Sequence, residues 1–247
     1  MSISEKLTTI AENEQKVFDA GKKSQYDEFW DNFQNYGKRV RYPYAFSSLE
    51  NTIYFWNETT FRPKYNISPK GQNDSMFRCM KIADFPSHLK KLGIEIDLSQ
   101  VATFNDGFYY TSTEHLGTLD LSSCSSMNFA FFGCSAKTID KLILRPGGTI
   151  SVNNTFTNMM HLENITIEGT IRNNGFNFQH CKKLKLKSIK SIINALSSDT
   201  SDLTITFSKT AINNAFGINV EDETTYPEGS EYYTLRNSKS NWTFNYV

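Results

Sequence analysis

Asp97 and Asp120 are the two residues of this sequence best spaced for catalysis. They lie 23 positions apart, each in the middle of an apolar-x-apolar triplet, Ile96-Asp97-Leu98 and Leu119-Asp120-Leu121. If those triplets are neighbouring strands, the carboxylates stand about 5 Å apart, the separation of a retaining glycosidase pair. The competing reading is plainer: the middle of such a triplet faces water, so it is polar. The next two members of the column, Ile143 and Thr166, carry no carboxylate. A polysaccharide hydrolase using Asp97 and Asp120 therefore ranks last among the functions considered, and the chain is expected not to be an enzyme.

Other chemistry is sparse. There is no His-Glu-x-x-His, Gly-x-Ser-x-Gly or Gly-x-Gly-x-x-Gly. Gly133-Cys134-Ser135-Ala136-Lys137-Thr138 has the outline of a phosphate loop but lacks its first Gly and the Gly before Lys. Cys79, Cys124, Cys134 and Cys181 form no Cys-x-x-Cys pair and read as free thiols, Cys134 and Cys181 pointing inward as small apolar fillers. His115 and His161 are 46 apart and read as surface histidines too distant to share a metal. No metal and no cofactor is expected. In Lys182-Lys183-Leu184-Lys185-Leu186-Lys187 the lysines alternate, which suits an anionic polymer or, the preferred reading, the solvated face of an irregular edge strand.

The elements that would position these residues come from a repeat. From Ile96 and Leu98, steps of 23 reach Leu119 and Leu121, then Leu142 and Leu144, then Ile165 and Ile167. Phe85, Phe108 and Phe131 keep the same step, with a slip of two to Phe156, and Leu116, Ile139 and Leu162 form a third column. A unit of 23 residues cannot bury its own apolar face; stacked units can, with strands about 4.8 Å apart and Phe and Leu running inside as ladders. The expectation is an α/β repeat solenoid of short stacked parallel strands over 73–216, with an N-terminal helix and capped ends.

Residues 2–36 read as helix, from the Ser2/Glu5 capping box to an aromatic face of Tyr26, Phe29, Trp30, Phe33 and Tyr36. Segment 1–37 either packs on its own domain or attaches the chain to another subunit or copy, and the second reading is preferred. The aromatic, Pro-containing stretch 38–72 would cap the N-terminal end. Ser188–Leu196 reads as a short helix, Leu203–Phe207 as a strand, and 217–247 as a C-terminal cap with an acidic loop over 221–231.

Composition narrows the partners. Lys plus Arg (26) equals Asp plus Glu (26), which argues against a nucleic-acid surface. At 14% aromatic the 247 residues are too rich in large side chains for general disorder. No stretch is apolar enough to insert in a membrane, and the start lacks signal-peptide features, so synthesis in a cytoplasm is expected.

Phe131-Phe132-Gly133-Cys134 and Phe178-Gln179-His180-Cys181-Lys182-Lys183-Leu184, with the Leu-x-Leu strands, resemble BspA-like leucine-rich repeats of bacterial surface and phage proteins, over roughly 74–216. The flanks Ile3–Asn13, Tyr26–Trp30, Ser191–Leu196 and Lys239–Thr243 are similar to repeat proteins among phage and prophage tail genes of gut Firmicutes. The resemblance implies a virion- or tail-associated structural or host-recognition protein that binds protein or surface glycan, or alternatively a BspA-like adhesin on a cell surface. Pro146 alone stands where surface members of the family place a proline after each strand. The expected contact surface is the outward strand face: Thr118, Asp120, Lys141, Arg145, Asn164, Thr166 and Glu168, with Ile143 among them.

Overall fold

A computed structural model describes residues 65–67, 71–72, 74–81, 83–92, 94–219 and 227–247. The expected helix over 2–36 and most of the expected cap over 38–72 lie outside the described residues, as does most of the acidic loop. Ten short strands occur among those described: β1 (Tyr65–Ile67), β2 (Gly71–Gln72), β3 (Ile94–Ile96), β4 (Val101–Thr103), β5 (Thr118–Leu121), β6 (Thr138–Leu144), β7 (Asn164–Glu168), β8 (Asn177–Phe178), β9 (Leu203–Phe207) and β10 (Trp242–Tyr246). The helices are α1 (Phe85–Leu92), α2 (Leu186–Ala195), α3 (Lys209–Phe216) and α4 (Glu231–Asn237). The strands form four small sheets, β1–β3, β2–β4, β5–β6–β7 and β10–β9–β8, and every pairing is parallel. The fold is α/β, and no described sheet closes into a barrel. Among the described residues no helix is long and apolar enough to cross a membrane.

The 23-residue step is the pairing register of β5 with β6: Leu119 opposes Leu142 and Leu121 opposes Leu144. It also sets the bridges Thr103–Ser126 and His115–Thr138. Two expectations need correction. Ile96 and Leu98 do not start this row, because β3 pairs with β1 while β5 heads another sheet. Upstream the step is 31, as in Asp84–His115, and the excess over 23 equals the eight residues of α1. Downstream, Ile139 opposes Ile165 and Leu142 opposes Ile167, across a register shift in β6. Ile167 is thus displaced two residues from its expected partner Leu144. A two-residue shift keeps side chains on their own face, so the apolar row survives the slip.

Between the strands, successive turns stack through their backbones. N–H groups of Ser75, Phe77 and Cys79 donate to carbonyls of Asn105, Gly107 and Tyr109; those of Asp106, Phe108 and Tyr110 donate to Asn128, Ala130 and Phe132. Phe129, Phe131 and Gly133 donate to Asn153, Thr155 and Thr157, the whole ladder spanning 2.6–3.0 Å. Inside it the rings of Phe77, Phe108, Phe131, Phe156, Phe178, Phe207 and Phe244 lie face to face, 4.6–6.3 Å between centroids. All seven are buried. Phe85, expected in this column, instead meets Phe77 and Phe108 edge-on, since it opens α1 and Phe77 holds its place. Each buried phenyl removes enough apolar surface from water for roughly 1.5–3 kcal/mol.

The open edge of β7 is closed by a helix. Backbone N–H groups of Ile165 and Ile167 donate to Ser188 Oγ and Ser191 Oγ of α2, at 2.9 and 2.8 Å. Hydroxyls one turn apart on the helix substitute for a neighbouring strand, which removes the unpaired edge. The lysine run is therefore not an edge strand: Lys187 lies in α2 and Lys185 just before it, although Lys182, Lys183, Lys185 and Lys187 are all exposed. The Ser188–Leu196 helix and Leu203–Phe207 strand stand as expected. Residue 231, placed in the acidic loop, opens α4 instead, capped by Ser230 Oγ accepting from Tyr233 N.

Candidate functional site

The turn side repeats a backbone feature that decides what it displays. Left-handed residues recur four apart: Ser75 and Cys79, Asp106 and Tyr110, Phe129 and Gly133, Asn154 and Asn158, with φ of 49–64°. Each non-glycine residue in that region costs about 1–2 kcal/mol, offset here by the turn-to-turn hydrogen bonds. Between Phe108 and Tyr110 the chain turns Tyr109 outward, and Phe132 follows Phe131 in the same way. Tyr109 and Phe132 stack at 5.2 Å and 13°, with the Arg78 guanidinium over Tyr109 at 4.3 Å. Arg78 also donates to Asp106 Oδ2 at 3.3 Å. Tyr110 stands edge-on to Tyr109 and Phe132, and Phe129 packs on Phe132. Tyr110 is 53% exposed in a chain whose other aromatics are mostly buried or half-buried where described. Its ring lies over Gly133, where a Cβ would come within 2.6 Å of it.

Beside this shelf is a cleft of about 420 Å³ whose walls include Lys81, Ser112, Glu114, Ser135, Lys137 and His161. Lys81 bridges by backbone to Ser112, two residues beyond Tyr110. Ser135 Oγ accepts from Thr113 N and donates back to its carbonyl, so it is wall; Ser112 is exposed. Lys137 pairs with Glu114 at 2.9 Å.

At the strand margin, His115 joins three segments. Its Nδ1 is 3.0 Å from Asp84 Oδ2 and its Nε2 2.8 Å from Asp140 Oδ2. Carboxylates only accept, so the arrangement is complete when both ring nitrogens carry protons. Burial pulls the imidazole down, but the hydrogen bonds to Asp84 and Asp140, with their charges, outweigh it and leave His115 above its ordinary value. Asp84 also caps α1, accepting from Ser87 N at 2.7 Å. His115 was expected as a plain surface histidine; the structure makes it a clamp. The stacked phase of Asp84 and Asp140 around it depends on α1 and β6, which spacing alone did not reveal.

The expected strand surface is present, and part of it is engaged in local contacts. Thr118, Arg145, Asn164 and Glu168 are exposed, and Asp120, Lys141, Ile143 and Thr166 half-buried. Lys141 pairs with Glu168 at 2.8 Å, and Asp120 accepts from Ser122 N at 3.0 Å. Asp97 accepts from Ser99 N at 2.9 Å, and the Ser99 hydroxyl and N–H hold its carboxyl below the ordinary value. A proton-donating acid needs the opposite shift. Cys124, Cys134 and Cys181 are buried and free; burial pushes Cys124 to about 11, Cys134 to about 12 and Cys181 higher still, while Cys79 is exposed. Among the described residues no group of three His, Cys, Asp or Glu is placed to hold a metal ion.

Sequence reasoning missed Arg78, Lys81, Tyr109 and Tyr110. A signal did exist for one pair, since Tyr109 and Phe132 are 23 apart, but Arg78 is 31 from Tyr109 and falls outside that period. No family model matches the chain, and neither a curated protein nor a solved structure matches it.

Proposed function

We propose that the chain is a leucine-rich-repeat solenoid of BspA-like type, acting as a non-enzymatic module that binds protein or glycan in a phage or prophage tail or in host recognition. In-register parallel strands and the continuous phenyl column support the architecture. The observation that carries the binding role is the Arg78–Tyr109–Phe132 stack with Tyr110 beside it. Aromatic faces held rigid at the surface lose little entropy on binding and offer a large contact area. They are left in water here at a cost that a partner would relieve.

The test is retention of the full-length chain on bacterial envelope fractions and a glycan array. Tyr110→Ala with Phe132→Ala should lower retention at least tenfold without releasing reducing sugar. Unchanged retention would remove the shelf from the function. Release of reducing ends that stops in Asp120→Asn would replace the module by a hydrolase. Self-association through residues 1–37 belongs to the same proposal, and light scattering of the full chain at monomer mass would remove it.

A further inference from the structure

The geometry points to an acidic sugar as the occupant of the cleft: a hexuronate unit of a polysaccharide, its ring laid on Tyr110 and its carboxylate at Lys81. This rests on the binding-module reading and names the ligand class for it. Three observations converge. Tyr110 covers Gly133, and each stands two residues before a residue of the cleft wall, Ser112 and Ser135, so the ring stands next to the cleft. A pyranose has an apolar C–H face that suits such a ring and a rim of hydroxyls that suits the polar walls.

Charge decides between neutral and acidic sugars. Lys137 and Glu114 neutralise each other at 2.9 Å, whereas Lys81, exposed on the same wall, makes no ion pair or side-chain hydrogen bond among the described residues. The cleft therefore keeps one uncompensated cation, with His161 on its wall and the Ser112 hydroxyl next to Lys81 in the bridge. A carboxylate completes that set, and a protein surface with no planar sugar face would leave the Tyr110 shelf unused. Because Lys81 is solvated, the attraction is salt-sensitive.

Calorimetry on the full-length chain with a tetragalacturonate and its carboxyl-reduced counterpart, in low salt, tests the inference. The acidic form should bind at least tenfold more tightly. Lys81→Glu should abolish that preference and leave the reduced sugar unaffected, and Tyr110→Ala should weaken both; melting curves confirm that both surface variants fold. Equal binding of the two sugars, or an acid preference that persists in Lys81→Glu, overturns the inference. So does displacement by inorganic polyphosphate together with indifference to Tyr110→Ala, which would mark a bare charge site. If neither sugar binds while Tyr110→Ala still abolishes envelope retention, the acidic-sugar inference falls and the module reading stands.

Discussion

Two aromatic stacks stand side by side in this molecule with similar geometry and opposite surroundings. Phe108 and Phe131 stack at 5.8 Å and 10°; one residue later in the chain, Tyr109 and Phe132 stack at 5.2 Å and 13°. The first pair is sealed in the core, and the second is half-buried beneath Arg78. The same backbone ladder spaces both, so stacking distance cannot be what distinguishes them. What differs is the water excluded: the inner column holds the segments together, and the outer one inherits its order from them.

The comparison breaks most readily at Phe131. Phe131→Ala leaves a cavity between Phe108 and Phe156 and should cost about 3–5 kcal/mol in urea unfolding, while Phe132→Ala should cost about 1 kcal/mol or less. Equal losses would mean that the outer stack is core. Gly133→Ala comes next, at about 1–2 kcal/mol, because an L-residue must adopt the left-handed conformation and its Cβ pushes on Tyr110. That variant should disturb Tyr110 fluorescence and binding more than it disturbs the Phe131 environment.

Acidity sharpens the contrast at the margin between the two faces. The folded-state pKa of His115 lies above the unfolded 6.5, so its contribution is fully present below 6.5 and is lost as pH rises through the folded value. Asp84 works at the other end. Burial alone would raise it, but the Ser87 N–H and His115 leave it below 3.8, so its contribution is present above 3.8 and lost as pH falls through its folded value. The clamp is partly exposed, so His115→Gln should cost about 1 kcal/mol or less near pH 5.5 and nothing above the folded pKa. A melting profile in which wild type and variant differ equally at pH 5.5 and pH 9 would discount it. The smallest perturbation is chemical: a thiol reagent should modify one cysteine per native chain, Cys79, and none in Cys79→Ser.

The inner column is legible in the sequence because burial constrains residue type at every step: Phe108, Phe131 and Phe156, and Leu119, Leu121, Leu142 and Leu144, have to be apolar to be stacked. Water tolerates almost anything, so the outer column carries no such constraint, whereas the polar residues of the strand face are visible in the pattern. Phe85 kept the period and lost the position, since a period counts residues and α1 adds eight without adding a layer. The slip at Ile167 hid for a related reason: a two-residue shift leaves hydrophobic alternation unchanged.

By itself the sequence determined the period, the apolar columns, the parallel pairing of β5 with β6 and the inward place of Cys134 and Cys181, all consequences of keeping oil from water at regular intervals. Only the tertiary structure decided that Asp84 and Asp140 reach one imidazole from 31 residues before it and 25 after it, that Ser188 and Ser191 finish a sheet, and that Tyr110 rests on Gly133 beside a cleft. Those are meetings between single side chains on different segments, set by insertions and bulges, and nothing in a hydrophobic pattern records them.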